Sequence, residues 1–330
     1  MVVGCYYRCH GNDMHCACDG ALLHLPRPPR LTARSLSQAS ARRLSEMSSA
    51  PRTGSFRVPI CVRPAVGVLQ HHFWSALMPR SLHGGRHELG QNFLTHQPTI
   101  DHIAALVANT SGPILEIGAG NGALTRSIAA LRRATTAIDI DEHRVRRLQR
   151  ALPEVRVEHA DALRYPLHVP VVVGNIPFHL TTPILRRLFA EPHWRHAVLL
   201  VQWEVARKRA GVGGRTMMTA QTAPWFEFEL CGRVPAWCFS PRPSVDGGVL
   251  SITRRGSPLV PAGERHRYEN FVRAVFTGSG GTLVRIIQRA TRSDARVVRR
   301  TIEQARIRAD SLPRDLNPTQ WAALWAGLQR

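Results

Sequence analysis

A strand, a glycine-rich turn, a helix and a second strand follow one another in this chain, and this unit constrains the fold most. The apolar run at 113–117 leads into the turn Gly118-Ala119-Gly120-Asn121-Gly122-Ala123, and apolar periodicity predicts a helix over 124–132. A strand at 135–140 then carries Asp139 near its end. Glycines let the backbone approach a ligand closely, and the acid can accept from ribose hydroxyls. The unit is typical of the nucleotide-binding half of an α/β sheet.

Strand–helix alternation continues downstream and predicts a Rossmann-like sheet. The strand at 155–159 is followed by Asp161, and the buried strand at 170–173 by Asn175. Acceptors at the carboxyl ends of parallel strands line one crevice, although Asp161 alone also suits a turn or cap. Further elements are predicted at 181–190 (helix, capped by Thr181), 197–202 (strand), 203–210 (helix), 228–234 and 248–253 (strands).

The tetrapeptide Asn175-Ile176-Pro177-Phe178 carries the clearest chemistry. Pro177 forces the preceding residue out of helical geometry and ends the strand, which frees nearby carbonyls to point into a pocket. The Asn175 side chain adds an acceptor and Phe178 a flat apolar face. Such a set suits a planar ring with an exocyclic amine, such as adenine. An Asn before Pro is by itself often only a turn signal.

Four motifs, in this order and spacing, resemble those of the erythromycin-resistance (Erm) family of rRNA adenine N6-methyltransferases. The resemblance covers residues 85 to about 329. The motifs are Arg86-His87-Glu88-Leu89-Gly90-Gln91-Asn92-Phe93-Leu94, Leu115-Glu116-Ile117-Gly118-Ala119-Gly120, Asn175-Ile176-Pro177-Phe178 and Phe239-Ser240-Pro241-Arg242-Pro243-Ser244-Val245-Asp246.

The resemblance implies a class I methyltransferase sheet with a small C-terminal all-helical domain, S-adenosylmethionine as cofactor, and specific residue roles. It implies that Gly118 lies against the methionine part, Asp139 holds the ribose and Asp161 the adenine. The full set of implied cofactor-binding residues is Asn92, Leu94, Gly118, Asp139, Asp161 and Asn175. The implied catalytic residues are Asn175, Ile176, Pro177, Phe178 and Phe239, with the two phenylalanines on opposite faces of the target base. Relatives often have Glu where this chain has Asp139.

Adenine N6 is a poor nucleophile because its lone pair is delocalised into the ring. Hydrogen bonds from its N–H groups to the Asn175 side-chain oxygen and the Ile176 carbonyl localise that pair. Placing the nitrogen and a sulfonium methyl in attack geometry then supplies most of the acceleration, up to about 7–11 kcal/mol. The motif contains no strong base, and His179 is expected at the surface or in packing. We expect no metal in the reaction.

A formal net charge of +21 argues for a polyanionic partner. Arginine carries nearly all of the charge, and Lys208 is the only lysine. Helices predicted at 268–276, 282–289, 295–306 and 319–329 have basic faces, so we expect a small lobe that grips rRNA through Arg285 and Arg289. Arg215, in a glycine-rich loop, is a third candidate. The alternative is a solvated helical bundle.

Residues 1–84 lie outside the resemblance, and we expect disorder there because they are rich in Arg, Ser and Pro and poor in acids. We expect translation to start at Met78, which makes the preceding stretch an over-called reading frame; a mitochondrial transit peptide is the alternative. Cysteines at 5, 9, 16 and 18 lie near His10 and His15, but their spacing fits no usual zinc site. No apolar run of about 18 residues predicts a membrane span. We expect a cytoplasmic monomer.

These observations predict a disordered extension at 1–84, a catalytic domain at 85–255 and a helical RNA-binding domain at 256–330. The predicted reaction is mono- or dimethylation of an adenine N6 in the peptidyl-transferase loop of 23S rRNA, giving resistance to macrolides, lincosamides and streptogramin B. Three alternatives stay open. A small-subunit rRNA dimethyladenosine transferase usually has Leu and Tyr in place of Ile176 and Phe178. A non-catalytic nucleic-acid-binding factor could share the fold, and the turn also satisfies the G-x-G-x-x-A pattern of NAD enzymes.

Overall fold

The computed structural model describes residues 92–329. Four expectations concern the part of the chain before Asn92 and lie outside the described residues. They are the disorder of residues 1–84, the start at Met78, the cysteine–histidine cluster, and the first motif up to Gln91.

Nine strands and ten α-helices alternate along the described residues. The strands are β1 (Phe93–Leu94), β2 (Ile114–Ile117), β3 (Thr135–Asp139), β4 (Arg156–His159), β5 (Val171–Asn175), β6 (His196–Gln202), β7 (Phe226–Val234), β8 (Phe239–Ser240) and β9 (Gly247–Arg254). The helices are α1 (Gln97–Ala108), α2 (Ala123–Ala129), α3 (Glu142–Ala151), α4 (Thr181–Ala190), α5 (Trp203–Arg209), α6 (Met217–Thr222), α7 (Arg265–Thr277), α8 (Leu283–Thr291), α9 (Ala295–Gln304) and α10 (Pro318–Leu328).

Seven strands form one sheet in the order β4-β3-β2-β5-β6-β9-β7. The first five are parallel, and β9 and β7 close the sheet antiparallel. From β2 the chain winds outward through β3 and β4, and then returns to β5 on the other side of β2. The switch point therefore lies between β2 and β5, where open α/β sheets bind their ligands. This arrangement confirms the predicted α/β class.

Apolar cores cover both faces of the sheet, as a parallel sheet requires. On one face α1 and α2 pack through Ile103, Val107 and Ile128 against alternate residues of the central strands. On the other face lies the larger cluster, which includes Leu185 and Leu188 of α4. The central strands are buried along their whole length because both faces are covered.

A separate two-residue ladder joins β1 to β8 antiparallel. It pairs Phe93 with Ser240 and Leu94 with Phe239. Residues almost 150 positions apart in sequence are thereby fixed side by side, so the first motif and the aromatic-Pro loop meet at the same edge of the sheet.

The helices after β9 pack onto the larger core. The Tyr268 hydroxyl donates to the Ala220 carbonyl at 2.9 Å, and the Trp225 and Tyr268 rings meet edge to face at 5.5 Å. The predicted boundary at 255–256 falls just after Arg254, the last residue of β9. The assignment of separate domains stays a prediction. No helix within residues 92–329 combines the length and the hydropathy that crossing a bilayer requires.

The predicted Thr181 cap is wrong. Helix α4 begins at Thr181, but Leu180 occupies the capping position and makes no side-chain hydrogen bond. The Thr181 side chain is 2% exposed, and its Oγ1 has no hydrogen-bond partner among the described residues. The preceding 3₁₀ turn, Phe178–Leu180, brings the chain into the helix without needing a polar cap.

Candidate active site

A cavity of about 40 Å³ lies at the carboxyl ends of β2 and β5, at the switch point. It brings together most of the residues predicted for cofactor and target. Its lining consists of Asn92, Phe93, Gly118, Gly120, Asp139, Asn175, Ile176, Pro177 and Phe178. The predicted residues Leu94, Asp161 and Phe239 do not line it.

The glycine turn allows the close approach that a cofactor needs. Gly118 and Gly120 have φ of 75° and 55°, a region that strongly favours glycine. A Cβ at Gly118 would lie 3.5 Å from the Asn175 carbonyl oxygen, and one at Gly120 would lie 3.1 Å from the Phe93 ring. The turn therefore presents bare backbone to the cavity, and the contact of Gly118 with the methionine part of S-adenosylmethionine stays a prediction.

Asp139 is 5% exposed, and its carboxylate shapes the turn. Oδ2 accepts the Gly120 N–H at 2.7 Å, and Oδ1 accepts the Asp141 N–H at 2.9 Å. A carboxylate oxygen can accept more than one hydrogen bond. The carboxylate can therefore hold the turn and still accept a ribose hydroxyl, which stays a prediction for Asp139.

Two acceptors lie together at the end of β5. The Asn175 Nδ2 donates to the Asn92 carbonyl at 2.8 Å, which sets the orientation of the amide, and Oδ1 accepts no hydrogen bond from the described residues. The Ile176 N–H donates to the Leu200 carbonyl at 3.0 Å, whereas the Ile176 carbonyl accepts no hydrogen bond from the described residues. The pair predicted to receive the target amine is therefore available in the cavity wall.

The two phenylalanines are close, but they do not form parallel faces. The Phe178 and Phe239 centroids are 6.4 Å apart with an interplanar angle of 75°. Phe239 is 4% exposed and packs on β9, where a Cβ at Gly247 would lie 3.0 Å from its Cζ. The expected two-sided clamp is therefore absent from this arrangement. Phe178 is half-buried and offers the accessible ring.

Two predicted cofactor residues lie outside the cavity. Leu94 is 3% exposed, because its side chain joins the core behind β1. Asp161 follows β4, and its Oδ1 accepts the Leu163 N–H at 2.8 Å. The loop that carries Asp161 is held by Arg187, which donates to the Ala162 carbonyl at 2.5 Å and to the Tyr165 carbonyl. Cofactor contact by Leu94 and Asp161 stays a prediction.

Arg144 is a site residue that sequence reasoning missed. Its guanidinium lies 4.4 Å from the centre of the Phe93 ring and donates to Asn121 Oδ1 at 2.6 Å and to Asp141 Oδ2 at 2.8 Å. It thus joins the first motif, the glycine turn and the start of α3. Helical spacing places Arg144 on the same face of α3 as the buried residues Val145 and Leu148, but the sequence does not show which groups its side chain contacts.

Glu116 lies in β2, two residues before Gly118, and is 1% exposed. Burial raises the pKa of its carboxyl group to about 8; the Thr125 hydroxyl partly offsets this rise, and the nearby charge of Asp139 adds to it. Its Oε2 has no hydrogen-bond partner among the described residues. The side chain is therefore a neutral acid under the glycine turn at pH 7.

The predicted RNA-binding arginines lie at two places. Arg285 and Arg289 are exposed one turn apart on α8, and Arg289 Nη1 donates to the Ser279 carbonyl at 2.7 Å. Arg215 is partly buried, which lowers the pKa of its guanidinium. The backbone N–H of Arg215 donates to the Arg314 carbonyl at 2.8 Å. The loop that carries Arg215 is thus tied to the segment before α10.

One group of side chains with metal-ligand chemistry occurs within residues 92–329. It consists of His168, Glu191 and His193, whose ligand atoms lie within 4.8 Å of one another. These residues precede β5 and β6, so they lie at the amino edge of the sheet, opposite the cavity. The expectation that the reaction needs no metal stays a prediction.

Comparison with known proteins gives consistent likenesses. Residues 82–324 match the family described as ribosomal RNA adenine dimethylase. The chain is 50% identical over 249 residues to the mycinamicin-resistance protein MyrB of Micromonospora griseorubida, covering 73% of this chain and 78% of that protein. An rRNA adenine N-6-methyltransferase of Corynebacterium diphtheriae is 52% identical over 209 residues, covering 62% and 83%. The solved 23S rRNA methyltransferase ErmE superposes with a TM-score of 0.67 at 33% identity, covering 72% of this chain and 100% of that chain.

Proposed function

Because the chain belongs to the ribosomal RNA adenine dimethylase family, we propose that it methylates N6 of an adenine in the peptidyl-transferase loop of 23S rRNA. The expected resemblance to Erm enzymes is confirmed by identity to a mycinamicin-resistance protein and to an rRNA adenine methyltransferase, and by the fold of ErmE. The chain is an rRNA methyltransferase whose product protects the ribosome from macrolides, lincosamides and streptogramin B. We propose that the reaction takes place in the cytoplasm.

The observation that carries this proposal is the pair of free acceptors beside the glycine turn. Asn175 Oδ1 and the Ile176 carbonyl accept no hydrogen bond within residues 92–329, and Phe178 offers an accessible ring next to them. When both N–H groups of the adenine amine donate hydrogen bonds to these oxygens, the lone pair becomes localised on N6 and can attack the methyl group. The half-buried Phe178 ring stacks on the base and orients that lone pair.

S-adenosylmethionine, when bound, supplies an electrophilic methyl group on sulfur. The bare backbone at Gly118 supports contact with its methionine part, and Asp139 is the acceptor proposed for its ribose. Asn92 closes this side, because its carbonyl receives the Asn175 amide. These residues position two reactants and exclude water, and proximity accounts for most of the expected acceleration.

We assign RNA binding to arginines outside the cavity lining. Arg285 and Arg289 on α8 and Arg215 in the loop before α6 are the proposed phosphate contacts. The net charge of +21 supports a polyanionic substrate.

The test is methyl transfer from labelled cofactor to four substrates: naked 23S rRNA, naked 16S rRNA, 50S subunits and 30S particles. We expect label in naked 23S rRNA alone, at one adenine of the peptidyl-transferase loop by primer extension. The protein should be a monomer in the assay. Label in 16S rRNA or 30S particles would instead identify a small-subunit dimethyladenosine transferase. RNA binding without transfer would identify a non-catalytic factor.

A further inference from the structure

A second cavity, of about 640 Å³, opens at the same edge of the sheet as the active-site cavity. It lies where β6 ends and α5 begins, between Trp203 and the loop 242–246. Its size is that of sites for small organic molecules. Residues 239–246 link the surroundings of the two cavities: Phe239 contacts Phe178 of the first cavity edge to face at 6.4 Å, and residues 242–246 line the second cavity.

An aromatic platform forms one wall of this cavity. The Trp203 indole is half-buried, and the Arg233 guanidinium lies over one face of its ring, 5.3 Å from the centroid. Arg233 is fixed by Asp246 Oδ2, which it contacts through Nε at 2.8 Å and Nη2 at 2.7 Å. Asp246 Oδ1 in turn accepts the Ala236 N–H at 2.8 Å, and this hydrogen bond, reinforced by Arg233, lowers the pKa of the carboxyl group. The platform is therefore held in place before any ligand binds.

The lining of the cavity carries two carboxylates and two guanidinium groups. Its two carboxylates already have cationic partners: Asp246 contacts Arg233, and Glu204 contacts Arg207 at 2.8 Å. Arg242 is exposed and forms no ion pair among residues 92–329, although its charge helps to lower the pKa of the Asp246 carboxyl group. A flat platform beside an unpaired guanidinium suits a flat ring attached to a phosphate.

We propose that this cavity binds the nucleotide adjacent to the target adenosine, with its base stacked on Trp203 and its phosphate at Arg242. The inference rests on the proposed function, since it extends the same RNA site. A base extruded into the first cavity leaves its neighbour without a stacking partner, and capture of that neighbour offsets part of the cost of extrusion. Strands β5 and β6 are adjacent, about 4.8 Å apart, so the two cavities open at neighbouring strand ends.

The test uses an RNA hairpin that contains the target adenosine, either intact or abasic at the 5′ or the 3′ neighbour. Trp203→Ala should weaken binding of the intact hairpin by about 5- to 100-fold, and Trp203→Phe by less than about 3-fold. For one of the two abasic hairpins, wild type should bind as weakly as Trp203→Ala does. An unchanged affinity of Trp203→Ala, or an equal loss on all three hairpins, would overturn the inference.

Arg242→Ala tests the phosphate contact without disturbing the core. It should weaken binding and reduce the salt dependence of affinity by about one unit of slope. Arg195→Ala is the matched control, because Arg195 is an exposed arginine just before β6, at the opposite edge of the sheet. Equal effects of the two substitutions would remove Arg242 from the site.

Methyl transfer to the intact hairpin by the wild type distinguishes a failure of this inference from a failure of the proposed function. If the wild type transfers methyl groups and Trp203→Ala binds like the wild type, only the second cavity loses its role. If the wild type transfers none, the proposed function fails, and this inference fails with it. Should Trp203→Ala unfold, Trp203→Phe on the abasic hairpins and Arg242→Ala carry the test.

Discussion

At the residue scale, the site depends on how one amide is oriented. The Asn175 Nδ2 donates to the Asn92 carbonyl, so Oδ1 points to the proposed place of the substrate amine. We expect Asn175→Ala to lower kcat on the order of 10²–10³-fold, the usual cost of removing one group that stabilises a transition state. Cofactor affinity should fall only a few-fold.

Asn175→Asp is the informative companion, since it keeps an acceptor oxygen but loses the donor. It should retain more activity than Asn175→Ala in the same assay with labelled cofactor. If Asn175→Ala kept the kcat of the wild type, Asn175 would have no part in the chemistry.

Stacking is a second residue-scale effect, and Phe178 offers the accessible ring. Phe178→Ala should cost about 1–3 kcal/mol of RNA binding or transfer, whereas Phe178→Tyr keeps the ring and should cost far less. Phe239→Ala should instead lower the melting temperature, because that ring is buried on β9. Equal losses of activity from Phe178→Ala and Phe178→Tyr would argue against stacking.

The buried acid Glu116 gives a pH prediction. Its pKa is about 8 in the folded protein and ordinary in the unfolded chain, so the folded state keeps a proton that the unfolded state releases above about pH 4.5. This residue therefore makes stability fall as pH rises from about 4.5 to 8, by at most about 1.4 kcal/mol per pH unit. Glu116→Gln should remove that part of the slope in urea unfolding between pH 5 and 8. Glu154→Gln, at an exposed position, is the control and should leave the slope unchanged.

At the scale of elements, the loop after β4 is positioned by a side chain of α4. Arg187 contacts two carbonyls of the loop that carries Asp161. Arg187→Ala should weaken binding of S-adenosylhomocysteine roughly tenfold, since hydrogen bonds to charged groups are worth about 1.5–3 kcal/mol. Arg186→Ala, at the exposed neighbouring position, should have no effect in the same titration without RNA. Indistinguishable affinities of the two variants would mean that the loop does not depend on Arg187.

The sequence predicted most elements, because their signals are local. Pro177 after an apolar run placed the end of β5, and the glycine turn placed the start of α2. Helix α1 was missed although its buried residues Ile100, Ile103 and Val107 follow helical spacing. The orientation of the Phe239 ring could not be predicted, because it depends on a pairing between β1 and β8. The second cavity likewise depends on where distant loops meet.

At the scale of the whole molecule, the proposed grip on RNA is electrostatic. Replacing Arg285 and Arg289 together by Ala should weaken affinity for 23S rRNA and lower the salt slope by about 1.5–2. The matched control is Arg146 and Arg150 replaced together, since both are exposed and equally spaced on α3. A salt slope that is unchanged, or that the control pair lowers as much, would place the grip away from α8.

The short ladder between β1 and β8 has a thermodynamic consequence. It joins Phe93 and Leu94, beside the proposed cofactor site, to Phe239 and Ser240, at the start of the loop beside the proposed RNA site. If binding of the cofactor shifts β1 or β8, it changes the dissociation constant of the RNA. Binding of the RNA must then change the dissociation constant of the cofactor by the same factor. Donor and acceptor are then coupled substrates, so each one's affinity has meaning only when the occupancy of the other is stated.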